Sequence, residues 1–98
     1  MTRDDMVEAF AKASELCSNT FELVENKRSG RQDIHAFLLL DELLPGTTCI
    51  VADAERDKVW LDVDLDELTM AISEEDIVEL ARCGVWLDDD EEGLCMYP

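Results

Sequence analysis

Basic residues are scarce in this sequence. It contains 8 Lys and Arg against 25 Asp and Glu in 98 residues, which gives a formal net charge of −17. Proteins that bind nucleic acids directly use Lys and Arg to neutralise phosphates, so we expect no direct contact with nucleic acid. The composition favours a basic partner instead, because opposite charges accelerate association.

Long apolar segments are also missing. A membrane-spanning helix needs about 20 apolar residues, whereas the longest apolar run here is the short segment from Ala36 to Leu40. The beginning of the sequence, Met1 to Asp5, is polar and acidic and does not resemble a signal peptide. We therefore expect a cytoplasmic protein that makes no contact with a membrane.

The cysteines and the single histidine form no pattern of metal ligands. Cys17, Cys49, Cys83 and Cys95 include no Cys-x-x-Cys pair, and His35 lies far from any paired cysteine. Disulfides would require an oxidising compartment, for which the sequence has no signal. We predict buried free thiols and no zinc site.

Two acidic clusters have the one-three-five spacing of a calcium loop. The segment 62–66 is followed by Glu67 where such a loop needs glycine, and valine and leucine separate its acids. The segment 88–92 is followed by Gly93, but it lacks the glutamate of position 12. We expect no specific metal ion and no cofactor.

Catalytic motifs are missing as well. The candidate nucleophiles Ser73 and Cys83 have no histidine nearby in the sequence, and His35 lies in an apolar helical pattern. The sequence has no glycine-rich phosphate loop. We predict that the protein is not an enzyme. The alternative of a catalytic carboxylate pair would require a concave site with raised carboxyl pKa values.

Three helices are predicted from apolar periodicity and from residues that begin or end helices. The first covers residues 3–28, either as one helix or as two. The second begins after Ser29 and ends at Pro45. Ser73, followed by three acidic residues, begins the third helix, and Gly84 ends it.

The same periodicity predicts which helical residues are buried. Met6, Phe10, Ala13 and Cys17 share one face of the first helix, and His35 is placed at the edge of the core. The buried face of the second helix is expected to consist of Ile34, Phe37, Leu38, Leu40, Leu43 and Leu44.

Alternating segments predict four strands in two hairpins. The first hairpin lies within residues 48–63 with a turn at 55–57, and the second joins 85–88 to 94–97. Asp64 begins a short helical turn between them. The order α-α-β-β-α-β-β predicts a single α+β domain, residues 1–98, with two or three helices packed on one face of a small, mostly antiparallel four-stranded sheet.

The negative charge is unevenly distributed along the chain. Residues 1–31 have a net charge of −1, and residues 32–98 have a net charge of −16. Duplex DNA carries one negative charge per about 1.7 Å of axis, so 17 charges correspond to roughly 29 Å of duplex. A domain of this length has a radius of gyration of about 12–13 Å and a long dimension on the order of 30–40 Å. Its linear charge density is therefore expected to be comparable with that of DNA.

The two tryptophans are expected on the outer face of the sheet. In both hairpins an apolar residue alternates with a tryptophan or an acid, which directs Trp60, Asp62 and Trp86 away from the core. Tryptophan beside polar groups is typical of interface hot spots. The alternative is that a helix covers this face and that both tryptophans are ordinary core residues.

Small size, extreme acidity and the lack of a catalytic motif make the chain resemble phage-encoded acidic inhibitors that mimic DNA, particularly anti-CRISPR proteins. The resemblance covers the whole chain, but it is one of composition and layout and involves no residue motif. It implies a protein that occupies the nucleic-acid-binding groove of a bacterial defence complex and blocks target DNA. Acidic immunity proteins and antitoxins, which neutralise basic toxins, are similar at this level.

We therefore expect a non-catalytic inhibitor, monomeric or homodimeric, whose partner is a basic nucleic-acid-binding protein such as a CRISPR–Cas subunit. One alternative is an immunity protein or antitoxin; another is a halophilic acidic domain, which would unfold when salt is removed. The expected partner-binding residues are those of the acidic clusters and the two tryptophans: Asp62, Asp64, Asp66, Glu67, Glu74, Glu75, Asp76, Asp88, Asp89, Asp90, Glu91, Glu92, Trp60 and Trp86.

Overall fold

The computed structural model describes residues 1–17, 20–25, 27–45, 51–54, 58–87 and 93–96. These ranges contain four α-helices, one short 3₁₀ helix and four β-strands. The helices are α1 (Arg3–Cys17), the 3₁₀ helix (Phe21–Leu23), α2 (Gln32–Leu43), α3 (Leu65–Ala71) and α4 (Glu74–Arg82). The strands are β1 (Val51–Ala54), β2 (Val59–Leu61), β3 (Val85–Leu87) and β4 (Leu94–Met96).

The four strands form one antiparallel sheet with the spatial order β1-β2-β4-β3. Strand β4 lies between β2 and β3, and its central residue, Cys95, pairs with Trp60 on one side and with Trp86 on the other. The helices pack on one face of the sheet, as expected for an antiparallel sheet with one covered side. The predicted α+β class and the predicted layout are thus confirmed.

The core lies between the helices and the strand residues that alternate with the tryptophans. Leu61, Val85 and Leu94 are buried there against Met6 and Phe10 of α1. The stripe predicted for the first helix is confirmed at Met6, Phe10 and Ala13, which are all buried. Its last member, Cys17, is half-buried at the end of α1.

Local capping chemistry defines both ends of α4. Ser73 Oγ accepts a hydrogen bond from the backbone N–H of Asp76 at 3.2 Å, and Asp76 Oδ2 accepts one from the backbone N–H of Ser73 at 3.0 Å. This reciprocal capping box satisfies two backbone donors that the helix itself leaves unpaired. At the other end Gly84 has φ +86°, a left-handed conformation in which a side chain would be strained.

The predicted helical turn after Asp64 is a complete helix, α3. The Asp64 carboxylate accepts hydrogen bonds from the backbone N–H groups of Asp66 at 3.0 Å and Glu67 at 3.2 Å. Leu65 and Leu68 anchor the helix in the core. The element order is therefore α-α-β-β-α-α-β-β in place of the predicted order, because the turn that begins at Asp64 continues as a helix to Ala71.

Other boundaries also differ from the predicted ones. The first helix ends at Cys17, and the second begins at Gln32, where Arg31 is the N-cap residue without a side-chain hydrogen bond. The Ser29 hydroxyl instead accepts a hydrogen bond from the backbone N–H of Arg31 at 3.2 Å. Strands β1, β3 and β4 have the predicted positions, while their predicted extensions over residues 48–50, 88 and 97 lie outside the described residues.

The buried face of α2 was predicted correctly only in part. Leu40 is buried, and Phe37, Leu43 and Leu44 are partly buried against the core. Ile34 and Leu38 are exposed, at 37% and 43%, whereas His35 is fully buried together with Ala36 and Leu39. Polar and apolar residues are distributed around the whole helix, so periodicity alone does not define its orientation. The buried imidazole accepts a hydrogen bond from the Arg28 backbone, described below.

Candidate partner-binding surface

The first half of α4 lies at the centre of three adjoining grooves, each of which is lined in part by acidic residues. Glu74 lines the groove beside α1 and the groove beside the 3₁₀ helix. Glu75 lines the groove beside the 3₁₀ helix and a third groove beside Arg28. We call this region the α4 acidic surface; its acidic residues are Asp5, Glu8, Glu25, Glu74, Glu75, Asp76 and Glu79. The basic side chains lining the same grooves are Lys12, Arg28 and Arg82. The surface is therefore acidic by seven residues to three.

Tertiary packing assembles this surface from three separate segments. Helix α1 packs along α4 and contributes Asp5 and Glu8. On the opposite side, the segment that follows the 3₁₀ helix contributes Glu25. A hydrogen bond of 2.9 Å from Arg82 Nη1 to Thr20 Oγ1 helps to hold this segment against α4.

Several carboxylates on this surface are available to a partner. Glu25, Glu74 and Glu75 are exposed, and within the described part of the chain none of them forms an ion pair or a side-chain hydrogen bond. Exposed apolar side chains lie beside them, because Leu16 lines one groove and Leu23 another, with exposures of 70% and 60%. A surface that combines free carboxylates with exposed leucines suits a protein partner better than a small ion.

A buried histidine, His35, lies next to Glu79 of the same surface. His35 Nδ1 accepts a hydrogen bond of 3.0 Å from the backbone N–H of Arg28. Nε2 lies 3.5 Å from Glu79 Oε2, and Arg28 Nη1 lies 3.6 Å from the same oxygen. Glu79 Oε2 thus lies near both His35 and Arg28, although Nε2 makes no hydrogen bond within the described residues. His35, predicted at the edge of the core, is fully buried.

The described cysteines are free thiols in different environments. Cys83 and Cys95 are fully buried, and Cys17 is half-buried; Cys49 lies outside the described residues. Burial raises the pKa of the Cys83 thiol from 9.0 to about 12, and the negative charge of Glu79 contributes to this shift. Cys83 thus stays protonated at neutral pH, and a thiol in this form is a poor nucleophile.

The outer face of the sheet carries both tryptophans. Trp60, Cys95 and Trp86 lie in register across β2, β4 and β3, on the side opposite the helical core. Both indoles are half-buried, and Cys95 between them is fully buried. The prediction that the tryptophans face away from the core is confirmed.

The acidic residues predicted between β2 and α3 serve several different purposes. Asp64 caps α3, and Asp66 Oδ1 forms an ion pair of 3.1 Å with Arg3 Nη1. Glu67 is exposed in the first turn of α3, and Asp62 lies in a separate groove with Trp60. These residues lie apart from Glu74, Glu75 and Asp76, which belong to the α4 acidic surface. The predicted residues Asp88, Asp89, Asp90, Glu91 and Glu92 lie outside the described residues.

Sequence analysis overlooked four residues of the α4 acidic surface: Asp5, Glu8, Glu25 and Glu79. Glu8, Glu25 and Glu79 are single acids and Asp5 is adjacent only to Asp4, so none of them belongs to the predicted acidic clusters. Glu79 alone had a detectable signal, because it lies one helical turn after Glu75 and therefore on the same face of α4.

No group of three or more His, Cys, Asp or Glu side chains has an arrangement that could hold a metal ion in the described ranges. None of the helices found there has both the length and the apolar character needed to cross a membrane.

Comparison with known proteins adds no identification. Searches against protein families, curated proteins and solved structures each found no match for this chain. Its function has therefore to be inferred from the residues and their arrangement.

Proposed function

We propose that this protein is an acidic, non-catalytic inhibitor that binds the nucleic-acid-binding surface of a basic protein in the cytoplasm. The observation that carries the proposal is the α4 acidic surface, where free carboxylates of Glu25, Glu74 and Glu75 lie side by side in connected grooves. Basic side chains that normally contact phosphates would find carboxylate oxygens there as alternative acceptors.

The overall charge density supports the same proposal. The radius of gyration is 12.1 Å and the principal-axis extents are 29, 27 and 26 Å. A DNA duplex 29 Å long carries about 17 negative charges at one per 1.7 Å, and the net charge of the chain is −17. A partner that attracts DNA electrostatically would therefore attract this protein with comparable strength.

The resemblance to anti-CRISPR proteins suggests which partner to test first. We propose a guide-loaded CRISPR effector complex, whose basic channel holds target DNA. A basic toxin, the partner expected of an immunity protein, is tested alongside it, because the same carboxylates would suit both.

The direct experiment is competition with DNA. The protein is titrated into effector complexes bound to labelled target duplex at 50 mM and 200 mM salt, and the released duplex is measured by gel shift. We expect displacement at low salt that weakens strongly at higher salt, since the contacts are ionic. If the protein displaces duplex from none of the effector complexes at low salt, the proposal is contradicted. Tight binding to a basic toxin alone would favour an immunity protein.

Matched variants locate the binding surface. Glu74→Gln with Glu75→Gln removes two charges from the α4 acidic surface, and Glu15→Gln with Asp41→Asn removes two from exposed positions on α1 and α2. We expect the first variant to weaken displacement about threefold or more, at the scale of exposed ion pairs, and the second to have a smaller effect. Equal losses would show that charge matters without regard to position. Circular dichroism checks that both variants are folded.

A further inference from the structure

The outer face of the sheet contains a second, smaller groove beside Trp60. Along β2 and the residues that flank it, Lys58, Trp60 and Asp62 are two residues apart, so the strand directs them to the same side. Asp53 of β1 pairs with Trp60 and shares this side. Asp53, Trp60 and Asp62 line one groove, to which Gly93 contributes backbone only. We call it the Trp60 groove.

The indoles of this face already interact with a cation. Lys58 Nζ lies 3.8 Å from the centroid of the Trp60 ring and 5.9 Å from that of the Trp86 ring. An ammonium or guanidinium group is attracted to the face of an indole ring, and tryptophan is the most effective side chain for this interaction. The ring is therefore in an environment where a positively charged group is stable.

The two carboxylates of the groove add complementary charge. Asp62 is exposed and forms no ion pair within the described residues, and Asp53 Oδ1 accepts a hydrogen bond of 2.9 Å from the neighbouring backbone N–H of Ala54. The groove encloses about 370 Å³, roughly ten times the volume of a water molecule in the liquid. It has room for an extended side chain rather than for a single ion.

We propose that the Trp60 groove receives an arginine side chain of the basic partner. A guanidinium group stacks on an aromatic ring and presents a rigid fork of donors to carboxylates, a combination that lysine does not offer. The inference rests on the proposed function and adds a second contact on the outer face of the sheet, with its own residue specificity.

The probe is a hexa-arginine peptide amide, with hexacitrulline as its uncharged counterpart. The chain has two tryptophans, so a ¹⁵N–¹H correlation spectrum shows two indole Nε1–H signals. The Trp86→Phe variant identifies the Trp60 signal. We expect hexa-arginine to shift this signal saturably at low salt, and hexacitrulline to leave it unchanged.

Charge-matched variants separate the groove from general attraction. Asp53→Asn with Asp62→Asn is expected to raise the dissociation constant of hexa-arginine, measured from the Trp60 signal, about threefold or more. Glu15→Gln with Asp41→Asn removes the same charge elsewhere and is expected to raise this dissociation constant less. In the opposite direction, Lys58→Gln is expected to strengthen binding more than Lys12→Gln, because Lys58 competes for the same ring.

Two results would overturn the inference. One is a Trp60 signal that stays in place while signals from the α4 acidic surface move. The other is an equal loss of affinity in the two double variants. Either result leaves the proposed function standing if the protein still displaces duplex from its partner. Conversely, saturable binding of hexa-arginine at Trp60 without any displacement of duplex would contradict the proposed function and support the groove.

Discussion

Alkaline pH is expected to destabilise the folded protein through one buried thiol. Cys83 follows the last residue of α4 and is fully buried. Burial, and secondarily the charge of Glu79, raises the pKa of its thiol from 9.0 to about 12. In the unfolded chain the thiol ionises above pH 9, whereas in the folded chain it stays protonated up to about pH 12. The unfolded state therefore binds fewer protons between these values, and the free energy of unfolding falls as pH rises.

The size of the effect follows from the width of this pH window. Each unit of pKa difference corresponds to about 1.4 kcal/mol, so between pH 9 and pH 11 the thiol is expected to cost roughly 3 kcal/mol of stability. This is a large part of the 5–15 kcal/mol typical of native domains. Below pH 9 the contribution is constant.

The assay is urea unfolding followed by circular dichroism at pH 8, 10 and 11, with a reducing agent present. Cys83→Ala is expected to be less stable than the parent at pH 8, and the difference between the two is expected to narrow by roughly 3 kcal/mol at pH 11. Groups that titrate in both proteins cancel in this comparison. Cys17→Ala controls for the removal of a thiol at another position. If parent and Cys83→Ala lose stability in parallel, the assignment to Cys83 is refuted.

Two further predictions concern backbone conformation and packing. Gly84→Ala is expected to cost about 1–2 kcal/mol of stability, because its φ is +86° while the added Cβ would meet Gln32 Nε2 at an ordinary 3.6 Å. Gly30→Ala is the control and should be nearly neutral, because no atom lies within 4 Å of the added Cβ. Equal losses of stability in urea unfolding would argue against backbone strain at Gly84. The Leu68 side chain is 0% exposed, so Leu68→Ala should cost about 2–5 kcal/mol of stability. Met70 is 88% exposed, so Met70→Ala should change stability by about 0.5 kcal/mol or less. The opposite ranking in thermal unfolding would contradict the placement of α3.

Features that depend on neighbouring residues could be predicted from the sequence. The capping box of Ser73 and Asp76, the left-handed Gly84 and the outward orientation of Trp60 and Trp86 all follow from short local patterns. These signals act within a few residues and agree with the tertiary fold here, whereas the local signal at Ser29 does not, because Arg31 is the N-cap residue of α2.

Features that depend on packing could not be predicted in the same way. Helix α2 has polar and apolar residues on every side, so its sequence does not define which face is buried, and it places His35 fully inside. The α4 acidic surface has the same origin, because Glu25 and Glu75 are 50 positions apart and reach one groove only through folding. Runs of acids in a sequence therefore indicate charge but not where that charge gathers.

The position of β4 within the sheet has a consequence for how the chain can fold during synthesis. Strand β4 is the last of the four in the sequence, yet it pairs with both β2 and β3, which have no described pairing with each other. Until residues 94–96 have been translated, two of the earlier strands lack a neighbour that each of them requires. The sheet is therefore completed late in synthesis. A substitution that disrupts β4 separates the β1–β2 hairpin from β3, whereas one that disrupts β1 affects only one edge of the sheet.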